Sequence, residues 1–180
     1  MSQTPEPYAA PRKPPKYALW LDPGETTGWA LWYFEQETLF MAEYEREEIG
    51  RFLERWMSTG GRHTVLGCEK FTITAHTARL SQQPAALEII GVARHLAQKY
   101  RAPEFRVDQT PAQAKSFCTD AMLRRLGWYK AALGHANDAA RHLLTYLTTT
   151  SQLPRDLQIK LYPELGERDT LDPHGSAGSS

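Results

Sequence analysis

The hydrophobic patterning of this chain predicts an α/β domain: a five-stranded mixed sheet, three strands in an antiparallel meander and two running parallel, flanked by helices. Three observations carry the prediction. Two apolar runs joined by a tight turn open the ordered sequence in YALWLDPGETTGWALWYF, Tyr17 to Phe34. An amphipathic helical stretch then separates the meander from another short apolar run, and a helical crossover is what a parallel strand pair requires. Finally, the first and fourth apolar runs each end in a carboxylate, Asp22 and Glu69.

Taken in order, residues 1 to 16 hold five of the twelve prolines and few bulky apolar groups, which predicts an extended Pro-rich arm. Tyr17 to Asp22 is apolar on both faces, as a mid-sheet strand is, and Pro23-Gly24 turns the chain into the run beginning at Gly28. Thr38 to Tyr44 reads as the third strand. From Glu45 to Met57, Ile49, Phe52, Leu53 and Trp56 fall at helical spacing, with glutamates in the first turn where the dipole favours them. Thr64 to Glu69 is the fourth strand; alongside the first, it brings Asp22 and Glu69 to one carboxyl-end edge.

Lys70 to Gln83 has no period and reads as a long loop beside that edge. Pro84 to Tyr100 is a helix with Ala86, Ile89, Ile90, Ala93, Leu96 and Ala97 on one face. Its Gly91 costs about 1 kcal/mol in a helix interior, which points to close approach of another backbone. Glu104 to Asp108 is the fifth strand. Thr110, Pro111 and Gln113 form a helix start with a capping box, and the spacing predicts one helix burying Ala114, Phe117, Cys118, Ala121 and Met122 up to Gly127. Ala136 to Thr148 is the last helix, with Ala139, Ala140, Leu143, Leu144 and Leu147 inward. The expected organisation is an arm over 1–16, the domain over 17–150 and a polar tail over 151–180.

Composition narrows the function classes. The 180 residues, 20.4 kDa, 41% hydrophobic content and five tryptophans suit one globular domain. No apolar run approaches membrane-spanning length and the start lacks a signal-peptide core, so a cytoplasmic location is expected, the host cytoplasm if the protein is phage-encoded. Cys68 and Cys118, in apolar surroundings without CxxC spacing, read as buried thiols rather than a disulfide or zinc site. Twenty-one basic and 21 acidic residues cancel, but between Lys70 and Lys130 ten basic residues face four acidic ones, a surplus of six. That distribution suits a nucleic-acid face, with Lys70, Arg79, Lys115, Arg124, Arg125 and Lys130 as candidate contacts.

The last helix supplies the deciding pattern. In GHANDAARHLL, His135 and Asp138 are three apart at a helix start and so share a face. With Asp22 and Glu69 they make four hard or borderline ligands, suited to Mg2+ or Mn2+ and unlike a structural zinc site.

In this order, Asp-Pro-Gly-x-x-x-Gly after the first strand, Glu69 at the end of the fourth, and His-x-x-Asp-Ala opening the last helix, the chain resembles the RuvC-type Holliday-junction resolvases of the RNase H-like superfamily, in a bacteriophage-borne version. The resemblance covers roughly Tyr17 to Thr150. It implies catalytic, metal-binding roles for Asp22, Glu69, His135 and Asp138, and two divalent ions per site. It also implies a homodimer that nicks four-way DNA junctions symmetrically in recombination and repair. Phe71 stands nearest the place of the family's junction-probing aromatic, though closer to Glu69 than the pattern expects. DQTPAQAK replaces the family's glycine-containing basic turn, leaving Lys115 as a phosphate contact.

Other readings compete. The Asp-x-Gly-x-Thr-Thr look is shared by sugar kinases and actin-like ATPases, but those folds need a second domain with its own phosphate loop. An RNase H-like nuclease acting on other branched DNA or structured RNA, and a non-catalytic DNA-binding module, are the other two.

Overall fold

In the computed structural model, residues 14–71 and 83–166 are described. Five strands form one sheet in the order β3-β2-β1-β4-β5. β1 (Tyr17–Asp22) pairs antiparallel with β2 (Thr26–Tyr33), which pairs antiparallel with β3 (Thr38–Glu45). β4 (Thr64–Cys68) runs parallel to β1, and β5 (Glu104–Arg106) parallel to β4. This is the predicted mixed sheet. Lys16 extends its rim, its N–H donating to the His63 carbonyl and its own carbonyl accepting from Phe34.

Strand alternation divides the core into two layers. Ala18, Trp20, Ala30, Trp32 and Val65 face α5 (Gly134–Thr149), where Ala139, Ala140, Leu143, Leu144 and Leu147 are buried as their spacing predicts. Leu19, Leu21, Leu31 and Leu66 face the opposite layer, made by α1 (Arg46–Gly60) and α2 (Gln83–Lys99). Both layers bury whole aliphatic side chains, each contributing roughly 1.5–3 kcal/mol before entropy is charged. Cys68 and Cys118 are buried free thiols, and burial pushes each up to about 12.

Four differences from the sequence reading have physical causes. The single helix expected from Thr110 is two: α3 (Pro111–Phe117), opened by the Thr110/Gln113 capping box, and α4 (Asp120–Leu126), for which Thr119 is a second N-cap accepting from Met122 N–H. The break rotates the inward face, so Leu123 and Leu126 are buried while Ala121 is exposed. The stretch expected as polar tail contains α6 (Arg155–Leu161); Leu153 and Leu161 join the α5 core, so packing runs past residue 150. Gly91 is exposed, and among the described residues nothing stands within 4 Å of where its Cβ would lie, so the expected close approach does not occur within the chain. The fifth strand stops at Arg106, where the guanidinium turns back onto Glu104 and Asp108. Residues 1–13, 72–82 and 167–180 lie outside the described residues, and with them most of the arm, the loop and the end of the tail.

Candidate active site

Asp22 and Glu69 leave the sheet side by side. The last β1–β4 pair in register is Leu21 with Cys68, and the Glu69 N–H continues the ladder to the Leu21 carbonyl at 3.0 Å. Both carboxylates therefore sit at the carboxyl edge of adjacent parallel strands, on the α5 side. The turn between β1 and β2 is closed by buried Thr27, whose hydroxyl bonds Gly24 through both its N–H and its carbonyl. That explains the Pro-Gly-x-x-Thr string as turn chemistry that fixes the start of β2.

His135, in the first turn of α5, brings Nδ1 within 2.8 Å of Asp22 Oδ2. Two residues set this approach. Gly28 is opposite Asp22 in register, and a Cβ there would stand 2.0–2.1 Å from the His135 carbonyl group, so only glycine lets α5 rest on β2. Glu43 is opposite Gly28 on β3, and its Oε1 accepts the Ala136 N–H at 3.0 Å. It thereby serves a helix N-terminus that has no side-chain cap of its own. The Asp22 hydrogen bond, ahead of the opposing effect of burial, raises the His135 imidazole above its ordinary value, with Glu43 and Asp138 adding to the rise.

Asp138 faces cations. Arg141, only 9% exposed, donates to both Asp138 and Asp120, and Lys115 Nζ on α3 is 3.1 Å from Asp138 Oδ2. These residues, with Tyr129 and His135, border a cleft of about 370 Å³ that Asp22 and Glu69 do not line. Asn137 shapes its wall: its side-chain carbonyl accepts the Lys130 N–H and its amide donates to the Lys130 carbonyl.

Glu69 meets a residue that sequence reasoning missed. His142 places Nε2 3.0 Å from Glu69 Oε2, and its Nδ1 lies 3.0 Å from Gln109 Oε1. Burial above all pushes the Glu69 carboxyl above the usual carboxylate range; His142 opposes the rise and neighbouring Asp22 adds to it. A signal existed, since His142 is seven residues after His135 and four after Asp138, on the same face.

The candidate DNA contacts divide. Lys70 and Lys115 are exposed near the carboxylates, and Arg124 stacks over Tyr129, 3.6 Å from its ring centroid. Arg125 donates to the Leu161 carbonyl, tying α4 to α6, while Lys130 is exposed at the cleft loop. Phe71 is half-buried against the α1/α2 layer instead of projecting from it. Arg79 lies outside the described residues. Part of the basic surplus between Lys70 and Lys130 is neutralised by Glu54, which pairs with Lys99 from outside the stretch, while Arg106 is held by Glu104 and Asp108 within it.

The donor chemistry, carboxylate oxygen with imidazole, fits a divalent cation such as Mg2+ or Mn2+. Asp22 is joined to His135 and Glu69 leaves the sheet beside Asp22, whereas Asp138 is turned to Arg141 and Lys115. Among the described residues, no three of His, Cys, Asp and Glu are gathered into a ready cage.

A solved structure of T. thermophilus RuvC in complex with Holliday junction substrate aligns with this chain at a TM-score of 0.56 and 15% identity, covering 76% of this chain and 96% of that one. The fold is thus the RNase H-like fold seen in RuvC. No family model and no curated protein sequence matches the chain. Among the described residues, no helix is long and apolar enough to cross a membrane.

Proposed function

We propose that this chain is a divalent-metal-dependent endodeoxyribonuclease that resolves four-way DNA junctions by hydrolysing two phosphodiesters symmetrically, in recombination or repair. The observation that carries the reading is the placement of Asp22 and Glu69 at the ends of two adjacent parallel strands, with His135 in the first turn of α5 joined to Asp22. The RuvC-like fold supports it, as does the junction bound to that structural neighbour. A bacteriophage origin and a host-cytoplasm location belong to the same proposal and rest on the sequence resemblance.

Asp22, Glu69 and His135 would hold the metal, Mg2+ or Mn2+, with Asp138 joining when its cationic partners release it; two ions per site are expected. Bound metal supplies Lewis-acid activation of water and of the scissile phosphate. The chain's own residues do the rest. Asp22 orients the imidazole of His135, and Glu43 fixes the helix turn that carries it. Lys115, exposed at the rim of the cleft, offers its ammonium to a backbone phosphate, and a phosphate there competes with Asp138 for it. Arg124, Lys130 and Lys70 extend positive charge around the opening; Arg79 belongs to the same proposed DNA face, and Phe71 would join it only by leaving its packing on the α1/α2 layer.

Symmetric cutting calls for a homodimer. α2 leaves Leu87, Gly91 and Val92 exposed, a small apolar patch on a surface helix that suits a second copy. The test is incubation of the protein with labelled four-way junction, replication fork, structured RNA and linear duplex, with and without Mg2+ or Mn2+. Metal-dependent paired nicks in the junction are expected. Equal or better cutting of forks or RNA would assign the site to another branched substrate, and binding without cutting in any metal would make the chain a non-catalytic binder.

A further inference from the structure

His142 occupies a position on α5 that core packing alone would fill with an aliphatic residue. Its neighbours Leu143 and Leu144 are fully buried, and the imidazole itself is 1% exposed. A buried polar ring whose hydrogen bonds are unmade costs about 1–3 kcal/mol, and replacing a satisfied pair by apolar groups is often neutral. Stability therefore gives no reason for an imidazole here. Its two partners do. Nε2 meets Glu69 Oε2 and Nδ1 meets Gln109 Oε1, both at 3.0 Å. The Gln109 carbonyl in turn accepts the N–H of Lys70, the residue after Glu69, at 2.8 Å.

These contacts close a ring. Glu69 lies just past the end of β4, its backbone N–H bonded to the Leu21 carbonyl. Its neighbour Lys70 is tied to Gln109, Gln109 to His142, and His142 returns to the Glu69 carboxylate. The loop after β4, the entry to α3 and the middle of α5 are thus tied together, and His142 delivers the connection to one oxygen of the Glu69 carboxylate. An acid with a flexible side chain acquires one fixed oxygen, the requirement for a preorganised ligand.

We propose that His142, oriented by Gln109, is a positioning residue that fixes the Glu69 carboxylate for metal binding. The proposal rests on the reading of Glu69 as a metal ligand and is separable from the substrate. The test is Mn2+ affinity of the full-length protein without DNA, measured by electron paramagnetic resonance, alongside melting temperature. His142→Leu leaves Glu69 and Gln109 without this partner and should melt somewhat below wild type while remaining folded, yet bind Mn2+ about 10–100-fold more weakly, the usual cost of losing an outer partner of a ligand. His142→Gln, whose amide can still donate to Glu69, should recover most of the affinity. In a Glu69→Gln background, His142→Leu should cause no further loss. If His142→Leu fails to fold, Gln109→Ala carries the test with a several-fold loss. Folded variants with wild-type affinity, an undiminished effect of His142→Leu without the Glu69 carboxylate, or a wild-type protein that binds no Mn2+ would each overturn the proposal. A wild-type protein that binds Mn2+ through this arrangement but cuts no branched nucleic acid would overturn the nuclease reading and leave the positioning role standing.

Discussion

The carboxylate of Asp22 and the imidazole of His135, 113 residues apart in the chain, meet at 2.8 Å. The contact joins the end of the first strand to the first turn of the last long helix, so it forms only when α5 packs on the sheet. If His135 is a ligand as well as a partner of Asp22, the metal should reveal it. Imidazole suits Mn2+ better than Mg2+, whereas a carboxylate suits both. His135→Ala should lose most cleavage, His135→Asp should keep a substantial part, and wild type should favour Mn2+ more strongly than the Asp variant. Rates for the three proteins in each metal check this; an Ala variant as active as wild type in both metals would remove His135 from the site.

The same contact sets a pH dependence in metal-free protein. Asp22 raises the His135 imidazole above its ordinary 6.5, so the folded chain holds that proton more tightly than the unfolded one. The stabilisation is complete below about pH 6.5 and is lost as pH rises through the higher folded value. With its side chain 52% exposed, His135 contributes a solvent-screened and modest amount. Between pH 6 and 9, wild type should lose more melting temperature than His135→Ala, and parallel curves would contradict the pairing.

Gly28 should tolerate no side chain. A Cβ at this position meets backbone, the carbonyl group of His135, at 2.0–2.1 Å, and backbone of a packed helix gives way less readily than a flexible side-chain end. Overpacking of this kind costs about 1–3 kcal/mol, which in a domain of this size lowers the melting temperature by roughly 2–4 °C per kcal/mol. Gly28→Ala should show that drop together with a loss of cleavage beyond it, because α5 must lift and carry His135 away from Asp22.

Glu43 should matter through its oxygen more than through its charge. Glu43→Gln keeps an acceptor for the Ala136 N–H and should stay near wild type in melting temperature. Glu43→Leu leaves that N–H unserved, at the roughly 0.5–2 kcal/mol typical of a lost helix cap, and should also lower cleavage. Equal melting temperatures for the two variants would show that the Glu43–Ala136 bond contributes nothing.

The sequence was informative where the candidate site sits on regular elements. Asp22 and Glu69 end apolar runs and His135 opens an apolar helix, so each polar residue stood out against its surroundings. His142 shares a face with His135 and Asp138 but did not stand out, because one histidine within a buried helical stripe has the same pattern whether it packs or works. Glu43 was hidden by the ordinary alternation of a half-exposed strand; only the register that aligns it with Gly28 and Asp22 gives it meaning. The pairing of Asp138 and Asp120 through Arg141 depends on how α4 and α5 approach, which spacing along either helix does not contain. The break before α4 was legible in retrospect: Thr119 followed by Asp120 is an N-cap and first-turn acid as much as a helix interior.

The central claim, that Asp22 belongs to a metal-dependent nuclease centre, is tested most directly by Asp22→Asn on a labelled four-way junction. The substitution keeps the shape of the side chain, removes a metal ligand and reduces the negative charge facing phosphate. The variant should fold, bind the junction at least as tightly as wild type, and cleave nothing in Mg2+ or Mn2+. Appreciable paired nicking by the folded Asp22→Asn protein would contradict the assignment.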